Sequence, residues 1–172
     1  MIFLKQIAII FFDIIDKFLH QKKISKYFLK NLENIDLFMD VGSHRGTYTD
    51  LILRNYEIKY IFMFEPQKKI FKYIKKKYKN DNRIRVFNNA VSNIEKTQKI
   101  YINKHDLTSS LTKIDKKNIY LNLKARLFGG NIHDMVSEIY KIKCIKLSNF
   151  IKDKRIKSID LLKIDTEGHE LQ

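Results

Sequence analysis

From residue 35 onward, short runs of consecutive apolar side chains recur between amphipathic stretches, and each run ends on an acidic or small polar residue. The runs are "IDLFMDVG" (35–42), "YIFMFEP" (60–66), "IRVFNNAVS" (84–92) and "SIDLLKIDTEG" (158–168). They are nearly continuous rather than alternating, which is the pattern of strands covered on both faces of a parallel sheet. Between the first two lies "TYTDLILRNYEIK" (47–59), where Tyr48, Leu51 and Ile52 form an apolar helical face and Thr47 and Asp50 have capping-box spacing. Between the second and third lies "QKKIFKYIKKKYKND" (67–81), in which Ile70, Phe71, Ile74 and Tyr78 fall at helical spacing. Its lysines then form the solvated face of a crossover helix. The order βαβαβ with short loops predicts a doubly wound α/β domain.

From 93 to 157 this rhythm breaks. "TQKIYINKH" (97–105) and "YKIKCIKLS" (140–148) alternate like half-exposed strands and predict an antiparallel β insertion. The segment between them reads as loop with one helical or extended piece and a turn at Gly129-Gly130. "LSNFIKDKRI" (147–156) predicts a short helix leading into the fourth run. The pattern predicts an N-terminal helical region over 1–35 ahead of a domain spanning 36–172. The longest apolar run there, Ile7 to Phe12, is far below the roughly 18–20 residues that span a bilayer. There is no basic start or small-residue cleavage site of a signal peptide either. Asp13, Asp16 and Lys17 interrupt the run at helical spacing, which favours a helix packed on the domain, with peripheral membrane contact as the alternative.

Composition changes this picture in two places. Lys and Arg number 34 against 19 Asp and Glu, a net charge of +15, which would attract nucleic acid or another anionic partner. The lysines are scattered, however, and the chain is rich in Lys, Ile and Asn together, residues with AT-rich codons. A nucleic-acid partner is therefore the less favoured reading. The single cysteine, Cys144, has no disulfide partner and no zinc-type spacing, and it fits an inert strand side chain in a reducing compartment such as the cytoplasm.

In a parallel α/β sheet, ligands bind beyond the carboxyl ends of the strands, at the point where strand order reverses. Three polar groups fall at such ends: Asp40 to Gly46, Glu65, and Asp165-Thr166-Glu167-Gly168. Gly42-x-x-x-Gly46 lacks the middle glycine of a dinucleotide loop, and no Gly-Lys-Ser/Thr follows it as a P-loop requires. An acid at Asp40 would repel a pyrophosphate and suits a ligand with a cationic part. Glu65 can accept hydrogen bonds from both hydroxyls of a ribose. These features suit an adenosine with a cationic tail, such as S-adenosylmethionine.

"DVGSHRGTYT", "FEP", "NNAVS", "SSL" and "IKLSNFIKDKRIKSIDLLKIDTEGHEL", in this order over about 36–172, resemble the FkbM family of S-adenosylmethionine-dependent methyltransferases. The resemblance implies a Rossmann-like class I sheet, here partial, with strands in the order 3-2-1-4. It also implies that Asp40, Gly42 and Gly46 line the methionine part of the cofactor, with the glycines giving close backbone approach. His44 occupies a slot where the family often has Asn. Glu65 would bind the ribose, and Asn89 and Ala90 would flank the adenine, although "NNA" leaves Asn88 and Asn89 as alternatives. Asp165, Glu167 and His169 would lie near the transferable methyl as candidate bases. Asp165, Glu167 and His169 could also take a divalent metal, but nothing in the sequence brings a further ligand to them, and no metal is expected. Ser109 and Ser110 match the family's "SSL" and are candidates to reach acceptor or cofactor.

The implied activity is methylation of a hydroxyl on a sugar or another small-molecule acceptor. RNA methylation is one alternative, and a non-catalytic cofactor-binding fragment is another. The latter is raised by the end of the sequence at Gln172, just into the helix expected after the fourth strand, which suggests a domain incomplete at its C-terminus.

Overall fold

A computed structural model of the chain describes residues 32–103, 109–110 and 136–166, together with Lys23, Lys26, Tyr27 and Lys30, which are helical. The expectations for residues 1–22, including any membrane contact, and for the loop around Gly129-Gly130 lie outside the described residues. Three apolar runs become adjacent parallel strands, β1 (Leu37–Val41), β2 (Tyr60–Phe64) and β3 (Ile84–Phe87). The chain returns much later as β8 (Leu161–Ile164), which pairs on the other side of β1 and gives the order β3-β2-β1-β8. The helices are α1 (Thr47–Asn55), α2 (Lys68–Lys77) and α3 (Leu147–Asp153).

Register partners in a sheet point to the same face. One face therefore carries Phe38, Ile61 and Ile84 in a row, then Asp40 and Met63, with Leu161 and Lys163 continuing both rows on β8. Ile52 of α1 and Ile74 of α2 cover this face and join Phe38, Ile61, Met63 and Ile84 in the main core. The α2 pattern is as the spacing predicts, with Ile70 and Ile74 buried and the lysines outward. On the opposite face Phe62, Phe64 and Phe87 pack around Phe150 of α3, with ring centroids 5.0–5.6 Å from it in edge-on contacts. Such pairs contribute about 0.5–1.5 kcal/mol each beyond the area they bury. Asp160 pins the entrance of β1: its Oδ2 accepts from the amides of Asp36 and Leu37, both at 2.9 Å.

The expected insertion is a second sheet. It contains β4 (Ala90–Val91), β5 (Thr97–Asn103), β6 (Ser109–Ser110) and β7 (Val136–Ile145), in the order β4-β7-β5-β6. β5 is antiparallel to both β6 and β7, whereas β4 runs parallel to β7. The third apolar run is thus divided between two sheets, with Asn88 and Asn89 at the crossing. Their side-chain amides hold the break, Asn88 donating to the carbonyls of Glu65 and Pro66 and Asn89 to that of Lys143. β7 begins earlier than its alternation predicts because Ser137, Glu138 and Ile139 are all exposed, so burial leaves no mark on them. The helix expected over 147–156 ends at Asp153, and Arg155 takes a positive φ of 52° just beyond it. Cys144 is buried in β7, as an inert strand residue would be.

Candidate active site

β1 and β8 are neighbours that come from opposite directions of the winding, so strand order reverses between them. The loop leaving β1 turns there through three residues of positive φ, Gly42 (73°), His44 (44°) and Gly46 (76°). The amides of Gly42 and Ser43 both donate to the Phe64 carbonyl at the end of β2, at 2.9 and 3.1 Å. The Ser43 hydroxyl closes back on the Asp40 carbonyl at 2.6 Å. His44 adopts a conformation that non-glycine residues seldom take. It is held by its amide, which donates to Glu65 Oε2 at 2.8 Å.

The two glycines have packing reasons for lacking a side chain. A Cβ on Gly42 would overlap the Asp165 carbonyl at the end of β8, and one on Gly46 would overlap the Tyr78 hydroxyl after α2. Their small size thus serves contacts within the chain, whatever else approaches their backbone. Gly46 precedes α1, whose first turn has no side-chain cap. The capping box expected of Thr47 and Asp50 does not form, because Asp50 turns instead to the Tyr78 hydroxyl at 2.8 Å and to the Lys77 ammonium.

Asp40 lies wholly buried under this loop. Its Oδ2 accepts from the Thr49 hydroxyl at 2.9 Å, and its Oδ1 stands 3.3 Å from the Lys163 ammonium without a directed hydrogen bond. Burial raises the Asp40 pKa above the usual carboxylate range, opposed by Lys163 and Thr49. In this arrangement the carboxylate faces Lys163 rather than open space. The Lys163 ammonium also donates to the Gly42 carbonyl at 2.6 Å, lies 3.6 Å from Asp165 Oδ2 and sits 5.2 Å from the centre of the Tyr48 ring.

Glu65 ends β2 with its carboxylate almost entirely buried. Oε1 accepts from the Gln67 amide at 2.7 Å, opposite the His44 amide on Oε2. Burial pushes its pKa up to about 7 even though these two amides and Lys163 favour the charged form. Each oxygen retains a further acceptor position, since an ionised carboxylate offers about four.

Asp40, Gly42, His44, Gly46, Glu65 and Asp165 are therefore gathered at one end of the sheet. Asn89 and Ala90 are turned to the second sheet, where Ala90 pairs with Cys144. Asn89 there lines a cleft of about 520 Å³ with Glu95, Lys143, Phe150 and Asp153. Ser109 and Ser110 pair with Ile102 and Tyr101 at the far edge of that sheet. Glu167 and His169 lie outside the described residues.

The methyltransferase FkbM domain matches residues 40–172, three quarters of the chain. The chain belongs to the FkbM methyltransferase family. Among solved structures, methyltransferase FkbM from Methylobacillus flagellatus KT is similar over 37% of this chain at 15% identity, with a TM-score of 0.32. The shared part spans 19% of that protein's length. No curated protein matches the chain.

Within this FkbM domain, Lys163, Thr49 and Tyr78 shape the site and were not singled out from the sequence. Lys163 had one visible signal, a lone cation inside the apolar run "LLKI". Charged residues are seldom buried without a partner. Thr49 and Tyr78 looked like ordinary helix residues, and only the packing of α1 and α2 on the sheet reveals their partners. Among the described residues no group of three His, Cys, Asp or Glu side chains is placed to hold a metal ion. No helix among them is long and apolar enough to cross a membrane.

Proposed function

We propose that this FkbM-family chain binds S-adenosylmethionine at the β1–β8 end of the sheet and serves methyl transfer to a hydroxyl of a sugar or another small molecule, in the cytoplasm. The observation that carries the reading is the convergence of Glu65, the Gly42–Gly46 loop and Asp165 at the reversal of strand order. The residues fit such a donor. Glu65 has acceptor positions left for ribose hydroxyls. The first turn of α1 lacks a side-chain cap, and its amides favour the methionine carboxylate. Asn88, at the break after β3, steadies the backbone of Glu65 and Pro66.

When bound, the donor supplies an electrophilic methyl on its sulfonium. The chain's task is to hold the acceptor oxygen in line with that methyl and to take its proton. Asp165 is suited to the second role among the described residues, since its carboxylate is more than half exposed while its backbone amide is fixed to the Val41 carbonyl at 3.0 Å. Glu167 and His169 follow it as alternative bases.

Calorimetry with S-adenosylhomocysteine, followed by transfer of labelled methyl to a panel of monosaccharides and other hydroxylated small molecules, tests the proposal. Binding of the nucleoside with labelled, base-stable ether product supports it. Absence of binding refutes the donor site. Binding together with labelling of tRNA alone overturns the small-molecule acceptor.

A further inference from the structure

Lys163 has no role in the reading above, yet it makes a dense set of polar contacts in the site. Its stem runs on the helix-covered face of β8 in register with Asp40 of β1, and its side chain is 15% exposed. Burying an ammonium is costly unless its hydrogens are used. Here the shortest bond, at 2.6 Å, goes to the Gly42 carbonyl rather than to either carboxylate.

That bond falls on one end of a single peptide plane. The Gly42–Ser43 unit has its carbonyl on Lys163 of β8 and its N–H on the Phe64 carbonyl of β2, 3.1 Å away. The plane is thus fastened at both ends to the two strands that flank β1. It is also the first peptide of the loop, and its orientation sets the path of Ser43 and His44. The His44 amide in turn reaches Glu65. The same ammonium lies 3.6 Å from Asp165 Oδ2. One cation thereby ties the loop to the candidate acid on β8.

We propose that Lys163 is a positioning residue that locks the Gly42–Ser43 peptide, and with it the donor-binding loop, against β8. The function assigned to the locked loop rests on the donor-site reading above. The lock itself does not, because it is a property of the chain without ligand. The competing explanation is that Lys163 only neutralises the buried Asp40, and two variants separate the two. Lys163→Met keeps the stem and removes the ammonium, leaving Asp40 without a cation. Asp40→Asn with Lys163→Met also removes the charge that needs one, while Asn can still accept from Thr49.

Amide hydrogen exchange on the full chain reads the lock directly, and calorimetry with S-adenosylhomocysteine reads its consequence. In both variants the lock predicts that Ser43 and His44 exchange about tenfold faster, the size of one charge-assisted hydrogen bond, with Met63 and Ile74 unchanged. Affinity for S-adenosylhomocysteine falls by a similar factor in both. Wild-type protection and affinity in the double variant would show Lys163 to be a counter-ion only and overturn the proposal. Loss of cooperative unfolding in the double variant also overturns it, since a positioning role leaves the sheet intact. If the wild-type chain binds no S-adenosylhomocysteine, the donor-site reading fails while the exchange of Ser43 and His44 still decides the lock.

Discussion

Replacing Glu65 by Gln should change how stability depends on pH more than it changes stability at any one pH. The carboxyl ionises near 4.5 in an unfolded chain and near 7 in the folded one, because burial disfavours its charged form. Between those values the folded state holds a proton that the unfolded state has lost, so stability falls as pH rises through the window. Each pH unit of difference is 1.36 kcal/mol, so the whole window removes about 3 kcal/mol. Gln carries no such titration. It does lose one acceptor, because the Gln67 and His44 amides both need an oxygen and an amide side chain has one, which costs about 1–3 kcal/mol. The variant should therefore be clearly less stable than wild type at pH 5 and close to it at pH 8. Urea unfolding of both proteins at pH 5, 6, 7 and 8 measures this. Parallel pH profiles would refute the argument, since they would mean that Glu65 titrates alike in both states. Asp40, whose pKa is also raised by burial, is present in both proteins, so its titration cancels from the difference except for its coupling to the Glu65 charge.

Gly42→Ala should abolish binding of S-adenosylhomocysteine and lower the melting temperature, because the new methyl meets the Asp165 backbone at a φ of 73°; calorimetry and thermal unfolding check it. Asp160→Ala leaves the Asp36 and Leu37 amides without their acceptor and should destabilise the fold by about 1–2 kcal/mol in urea titrations, the lower range for partly exposed hydrogen bonds. Phe150→Ala opens a gap against Phe62, Phe64 and Phe87 and should cost about 2–4 kcal/mol, somewhat below a fully buried Phe→Ala because Phe150 is half-buried. An unchanged transition midpoint in either stability test would mean that the corresponding contact is not maintained in solution.

β1 was legible because burial on both faces writes a continuous apolar run, β8 because it carries the same kind of run even though Leu162 and Ile164 are exposed, and α2 because Ile70 and Ile74 mark its inner side. What escaped was information carried by partners far along the chain. "IRVFNNAVS" reads as one strand, and the division between β3 and β4 depends on β7, whose Cys144 and Ile145 pair with Ala90 and Val91. The capping box at Thr47 failed for a similar reason. Asp50 had the right spacing, but Tyr78 and Lys77, brought in by α2, offered it stronger partners than a frayed helix end could.

The site shows the same division in sharper form. Sequence spacing identified Asp40, Gly42, Gly46 and Glu65, and the structure brings all of them to one end of the sheet, where several also have partners inside the chain. Asp40 was singled out as an acid suited to a cationic ligand, and the cation it meets inside the chain is Lys163, placed opposite it by the β1–β8 register. Gly42 and Gly46 were singled out for close backbone approach, and inside the chain their missing Cβ atoms make way for the Asp165 carbonyl and the Tyr78 hydroxyl. A loop whose glycines and acid are all committed internally is one built before any ligand arrives. On the donor-site proposal, the groups that would meet a ligand are those the internal bonds leave over: the second acceptor positions of Glu65, the uncapped first turn of α1 and the exposed carboxylate of Asp165. Preorganisation of this kind reduces the ordering that binding must supply. It also explains why removing Lys163, which reaches Asp165 and the Tyr48 ring but makes no hydrogen bond to Glu65, should still be felt by a ligand.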